Sequence, residues 1–526
     1  MKPCPPLYDI ASLPAPEVEE LFYFHAPLLA DLLEDLERET ARSRAQHHLL
    51  IGGEGAGKST LLARLRGALL DTYARRGNKR NKHKAKGGHP LFPIYLSPTA
   101  LTLGRLSQLW LRVGGALPID FHPPGGTEQE ENEEQLLREL PARILEACSE
   151  AGLRPVLLLE DFDLFLGRVA RQERSLRALL LQPGAPILVA SASRAGSQDY
   201  QAAFFDHFKT HYLPAPNVQQ ARGLLLHFAE VLERPRLAKS PGLSEGRCAA
   251  LQVFTGGNPR SLTRLWKLYA QGRPTRIEED LAYLLDEETP VHGALLDSLS
   301  EQARVVLVSM AAHWSPIALG TLAKACSLPK GSVSSQLDRL RKAGLVHLRS
   351  LPGTRRKGYE IAHRRLALWL LAQDSTTDGR TRLFALARFL ESFLPAQQSW
   401  ADPGGTPMLR GALPRELGRL ATLLSEKNWG QAAEELPPLL TQLPDLPGRS
   451  LGAWLALFRA GLAAGFGGEL LDLVENSREA AALFPWVEAL RARLHQNPSL
   501  LLALPHELRP SAQWLYEALE QPKEES

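Results

Sequence analysis

The stretch Gly52-Gly53-Glu54-Gly55-Ala56-Gly57-Lys58-Ser59 constrains this chain more than any other. It fits GxxxxGK[ST] without a mismatch, follows the apolar run HHLLI and precedes the helix-like LLARLRGALLDTYA. That order of strand, loop and helix is the context in which the pattern has a physical meaning. Glycines let successive backbone N–H groups turn inward around an anion, and the start of the next helix adds the positive end of its dipole. Residues Gly52 to Thr60 are therefore a candidate phosphate cradle. Lys58 would neutralise the β- and γ-phosphates of a nucleoside triphosphate, and the Ser59 hydroxyl would ligate Mg²⁺.

A metal-bound triphosphate needs carboxylates nearby. The run Val156-Leu157-Leu158-Leu159-Glu160-Asp161-Phe162-Asp163 reads as an apolar strand ending in acids. Glu160 is the candidate on the magnesium side, and Asp161 the candidate that polarises the attacking water. The order is Glu-Asp, so Asp161 would do this with a side chain one methylene shorter than glutamate. That bears on hydrolysis and not on binding. A further strand, Pro186 to Ser193, ends in Ser191 and Ser193, which either sense the γ-phosphate or form an ordinary serine-rich turn. Gly256-Gly257-Asn258-Pro259-Arg260 precedes a helix, SLTRLWKLY, and puts an arginine at its start. That arginine either reaches the nucleotide or belongs to a surface capping turn.

Around these motifs, strands alternate with helices: LFPIYL, LTLGRLSQLWLRVGGAL, a helix to about Ala151, PVLLLEDFD, RQERSLRALLLQ and PILVASAS. The alternation predicts an α/β domain, a parallel sheet covered on both faces. Residues 17–42 carry helix-spaced apolar residues. A basic stretch, RRGNKRNKHKAKGGHP, and an acidic one, HPPGGTEQEENEE, lack any apolar face and read as loops. At 526 residues, 44% of them apolar, the chain has material for about three domains. The first residues, MKPCPPLYDIASLP, lack a basic start leading into an apolar run, and nowhere do eighteen apolar residues follow one another. The four cysteines are scattered without a CxxC pair, which indicates neither a disulfide framework nor a zinc cluster. A soluble, cytoplasmic protein without membrane contact is expected.

Charge is unevenly spread. Residues 316–373 hold eleven Lys and Arg against two acids, while residues 374–526 hold fourteen bases and nineteen acids. The basic segment is either a solvated face or the footprint of a polyanion. Its pattern favours the second: helices in EQARVVLVSMAAH, IALGTLAKAC and SVSSQLDRLRKAGLV precede a possible hairpin, VHLRSLPGTRRKGYEIA. This is the outline of a winged helix-turn-helix. Its third helix would present Lys330, Ser332, Ser335, Gln336 and Arg339 to the major groove of double-stranded DNA. Arg355, Arg356 and Lys357 at the wing tip suit phosphates. The remaining residues read as helical, with Trp400, Trp429, Trp454, Trp486 and Trp514 among leucines, more suited to a core than to a ligand site.

Together, GGEGAGKS, LLLEDFD, ILVASAS and GGNPR resemble ATPases of the AAA+ and STAND classes, nearest to origin-initiator-like and bacterial ATP-binding proteins with a winged helix behind the ATPase. The likeness covers roughly residues 17–370. It implies a P-loop core (1–215), a helical lid (216–290), a winged helix (291–373) and a helical C-terminal domain (374–526), the last tetratricopeptide-like at most. It also implies ATP and Mg²⁺ as cofactors, Ser191 or Ser193 as a first sensor and Arg260 as a second. Arg194 and Arg177 are the arginine-finger candidates should the chain form a homo-oligomer. Three functions stay open: an ATP-driven DNA-associated switch, a signalling ATPase or transcription regulator sensing a protein partner through its C-terminal helices, and a non-hydrolysing scaffold of a mobile-element or phage-defence system.

Overall fold

The computed structural model describes residues 4–6, 10–39, 44–79, 90–97, 104–119, 121, 133–193, 207–272, 276–313, 316–351, 356–373, 379–400, 412–440, 451–477, 483–504 and 508–520. The chain divides into two compact units, the first made of Met1–Pro216, His227–Arg234 and Asn258–Thr263, the second of the rest. Among the described residues no helix is long and apolar enough to cross a membrane.

The first unit is built on five strands: β1 (His47–Ile51), β2 (Leu91–Leu96), β3 (Arg154–Leu159), β4 (Ile187–Ala192) and β5 (Phe208–Tyr212). They lie in the order β2-β3-β4-β1-β5, and every pairing is parallel. Its helices are α1 (Ala15–Leu21), α2 (Ala26–Arg38), α3 (Lys58–Lys79), α4 (Leu106–Ala116), α5 (Glu133–Ala151), α6 (Phe162–Arg168) and α7 (Glu173–Leu180). Strands β1, β3 and β4 are buried along their whole length, so they read as continuous apolar runs in place of alternating ones. Val156 and Leu158 face a core with Leu32 and Leu36 of α2 and Leu61, Leu62 and Leu65 of α3. Leu157 and Leu159 face the opposite core, with Trp110 of α4, Ile144 of α5, Phe162 and Phe165 of α6 and Leu180 of α7.

Three features go beyond the sequence reading. The helix-spaced stretch from residue 17 holds the end of α1 and all of α2, which are separate helices because Pro27 in the first turn of α2 cannot donate back into a preceding turn and His25 takes a left-handed φ of 65°. The acid-ended strand stops at Leu159, leaving Glu160 and Asp161 in the turn before α6. Strand β5, FKTHY, was not expected at all. As an edge strand with only Phe208 buried it has no apolar run to announce it.

Register places the site. Leu50 pairs with Ser191 and Ile51 with Ala192, while Leu159 pairs with Ala190. The loop after β1 and the acids after β3 thus emerge at one sheet edge on either side of β4, where ligands of parallel sheets sit.

Helix α8 (Val218–Val231) has residues in both units; α9 (Glu245–Thr255) lies in the second, and α10 (Pro259–Ala270) begins in the first. In the second unit follow α11 (Ile277–Asp297), continuous across residue 290, then α12 (Glu301–His313), α13 (Leu319–Ala325) and α14 (Lys330–Lys342). Strands β6 (Val346–Ser350) and β7 (Lys357–Ile361) form an antiparallel hairpin, and Ile317 bridges Tyr359 beside it. Three helices with that hairpin make a winged helix-turn-helix. Helices α15 (Arg364–Gln373) and α16 (Gly379–Trp400) lead into an all-α region whose Trp454 and Trp486 are buried, as core residues. The Glu288 carboxylate of α11 accepts from Arg264 (3.0 Å), Arg365 (2.6 Å) and His292 (3.2 Å). Trp369 Nε1 donates to Thr289 Oγ1 at 2.9 Å, so α15 is tied to α11 twice.

Candidate nucleotide site

The loop between β1 and α3 turns on Gly55 (φ 77°) and Gly57 (φ 93°), in the region where a side chain is strained. A Cβ on Gly55 would also lie 2.6 Å from Asn258 Oδ1. Lys58 opens α3 and is buried, with Nζ donating to Gly52 O (2.7 Å) and Gly53 O (3.0 Å). Burial pulls its pKa down, against the attraction of Asp161 and Asp163.

Two segments distant in sequence hold the loop in shape. His25 Nε2 lies 3.1 Å from Ala56 O; a carbonyl only accepts, so Nε2 carries the proton. Asn258 Nδ2 donates to Glu54 O (2.7 Å), and Arg260 N donates to Gly55 O (3.3 Å). The Arg260 guanidinium forms an ion pair with Glu54, and Asn258 Oδ1 accepts from the N–H groups of Arg260 and Ser261 at the start of α10.

Across β4 stand the acids. Asp161 adopts a left-handed φ of 44°, and its N–H donates to Ser191 Oγ at 3.3 Å. Asp163 Oδ2 accepts from Ser193 N at 3.3 Å. Among the described residues, the buried Glu160 Oε1 and Asp163 Oδ1 have no hydrogen-bond partner. Burial, then the neighbouring Glu160, pushes the Asp161 carboxyl above its usual range. Orphaned carboxylate oxygens are costly unless something hard and positive meets them. Among the described residues no group of three or more His, Cys, Asp or Glu forms a self-sufficient metal cage. Magnesium does not require one, because it takes one or two protein oxygens and fills its shell with phosphate and water. Ser59, Glu160 and Asp163 fit that demand.

The structure therefore brings together residues 52–60, Glu160, Asp161, Ser191 and Arg260. It adds His25, Asn258 and Asp163, which sequence reasoning had not assigned. Asn258 carried a signal, as an N-cap type before Pro-Arg. His25 carried none. Arg177 lies 3.4 Å from His207, and Arg194 lies outside the described residues.

On the winged helix, Lys330, Ser335 and Arg339 are exposed and Ser332 is half-buried. Gln336 corrects the expected DNA face. It shares the inward stripe of Val333, Leu337 and Leu340, its amide bonded to Ser300 Oγ and Gln302 Oε1, both at 3.3 Å. Its spacing from Val333 and Leu340 (three and four residues) puts it on the buried side. Arg356 and Lys357 are exposed at the start of the second wing strand; Arg355 lies outside the described residues. Arg341, Lys342 and Arg349 are also exposed, with Arg341 paired to Asp338 (3.5 Å) and Arg349 to Glu360 (2.9 Å).

No protein-family model and no curated protein matches the chain. Among solved structures it is similar to a Walker-type ATPase of Pyrococcus abyssi (14% identity, 66% of this chain, 96% of that one, TM-score 0.45). It is also similar to the ORC1 protein of Aeropyrum pernix in complex with DNA (17% identity, 70% and 95% covered, TM-score 0.38). A third is the RuvB Holliday junction branch migration motor of Thermotoga maritima (16% identity, 64% and 92% covered, TM-score 0.30). The class rests on the chain's own geometry. It is a P-loop NTPase fold followed by a winged helix-turn-helix and an all-α region.

Proposed function

We propose that this chain binds and hydrolyses ATP with Mg²⁺ at the loop after β1, as a switch whose nucleotide state governs how the winged helix meets double-stranded DNA. The observation that carries the reading is the Lys58 ammonium folded onto Gly52 and Gly53 at the start of a helix, with oxygens of Glu160 and Asp163 that have no partner among the described residues one strand away. Lys58 would exchange those two carbonyls for β- and γ-phosphate oxygens, while the glycine-turned N–H groups cradle the chain of phosphates. Ser59 and Glu160 would hold magnesium, which supplies charge neutralisation at the phosphates. Asp161 would orient the attacking water, its backbone fixed by Ser191. Lys330, Arg339, Arg356 and Lys357, all exposed, would meet DNA.

A second reading, a signalling ATPase with the winged helix as an internal spacer and a protein partner on the C-terminal helices, is favoured by the Glu288 network that ties α15 to α10 and α11. Turnover measured with and without duplex DNA separates the two. Stimulation supports the DNA switch. Slow turnover indifferent to DNA supports the spacer, and binding without turnover points to a scaffold.

A further inference from the structure

Glu54 is the one acid in residues 52–60, a carboxylate inside a loop shaped for anions. It serves no packing purpose, since its side chain is 65% exposed. What it does contact is Arg260, whose side chain is only 21% exposed and whose backbone is held to the loop through Gly55 O. Local conflicts of this kind belong to functional sites.

The position of the pair decides which phosphate it concerns. Gly57 to Thr60, at the helix start, belong to the end of the loop that holds the inner phosphates. The Lys58 ammonium, which would meet the β- and γ-phosphates in the reading above, lies 3.0 Å from Gly53 O, next in sequence to Glu54. The charges of Glu54 and Arg260 both reach Lys58. The ion pair therefore stands at the terminal-phosphate end.

We infer that Glu54 is a specificity-determining residue that competes with the γ-phosphate for Arg260 and so sets the preference between ATP and ADP. This rests on the ATP-binding reading above. ADP ends at the β-phosphate and leaves the Glu54–Arg260 pair intact. ATP must draw Arg260 from the carboxylate and tolerate that carboxylate beside its terminal charge. Glu54 thereby holds ATP affinity down and narrows its lead over ADP, which favours exchange over permanent capture.

The test is calorimetric titration of the full chain with Mg²⁺ and either a non-hydrolysable ATP analogue or ADP. Wild type, Glu54→Gln, Arg260→Ala, the double variant and Lys58→Ala are compared. Glu54→Gln is isosteric and exposed, so folding is not at issue. It is expected to raise analogue affinity about 3- to 10-fold and ADP affinity less than about 2-fold. Arg260→Ala should weaken the analogue selectively, and in that background Glu54→Gln should lose its analogue-specific gain. Equal gains for both nucleotides, or the same selective gain without Arg260, overturn the competition. If wild type binds neither nucleotide, the ATP-binding reading itself falls. If wild type binds both and Lys58→Ala weakens both while Glu54→Gln discriminates nothing, only the role of Glu54 falls.

Discussion

Acidification is expected to loosen β1, the strand that delivers the chain into the phosphate loop, because His47 and His48 resist protonation there. His47 is 1% exposed; its Nε2 lies 3.1 Å from Leu180 O, and its Nδ1 lies 3.1 Å from Leu188 N. Leu180 O only accepts and Leu188 N–H only donates, so the neutral Nε2–H tautomer satisfies both. A second proton on Nδ1 would point at a donor. Burial, partly offset by the bond to Leu180, lowers its pKa to about 4. His48 is fully buried, 3.1 Å from His211, and is lowered to about 4 by burial and then by that neighbour. Unfolded histidines titrate near ~6.5. Stability is therefore intact above that pH and lost as pH falls from ~6.5 towards ~4, where the unfolded chain takes up protons the folded one refuses. At pH ~5.5 the loss is about 1.4 kcal/mol per histidine, with a ceiling of about 3.4 kcal/mol each in stronger acid. The pair together costs about 3 kcal/mol at pH ~5.5, a sizeable part of a domain's stability. Hydrogen exchange at the Leu49 and Leu50 amides, corrected for intrinsic rates, reads it locally. His47→Gln should remove about half of the pH sensitivity between pH ~7.5 and ~5.5. Opening free energies that stay flat over that range, or an unchanged slope in both His47→Gln and His48→Gln, would refute the reasoning.

Three further outcomes are expected. Asp161→Asn should keep ATP binding and slow turnover by ~10²-fold or more; if Glu160→Gln alone stops turnover, the roles of the two acids are reversed. Glu288→Ala leaves Arg264 and Arg365 without their shared buried carboxylate, and should cost about 3–5 kcal/mol in urea unfolding of the second unit, where a surface role would cost under ~1. Replacing Arg355, Arg356 and Lys357 by Ala should flatten the log–log salt dependence of duplex binding by about 2–3 units, alike for specific and random DNA. An unchanged slope removes the wing from the DNA surface.

What the sequence disclosed depended on how local the signal was. The glycine loop, the buried strands and the helix-hairpin order of the wing are each written in a few consecutive residues. Strand β5 was not, since an edge strand exposes most of its side chains and needs no apolar pattern. Gln336 misled because polarity suggested exposure, while its spacing from Val333 and Leu340 already placed it on the inward stripe. His25 and Asn258 reach the loop from 31 and 204 residues away in their bonds to Ala56 and Glu54, and only the fold brings such partners together. Asp163 was visible as a letter, but its unpaired buried oxygen is a property of packing.

The most direct test of the account is titration of ATP with Mg²⁺ into wild type and Lys58→Ala, alongside their unfolding curves. The account predicts saturable, one-to-one binding by wild type, and a loss of affinity of about 10- to 100-fold in a variant that still unfolds cooperatively above the titration temperature. Equal affinity in the two folded proteins, or no binding by wild type, would contradict it.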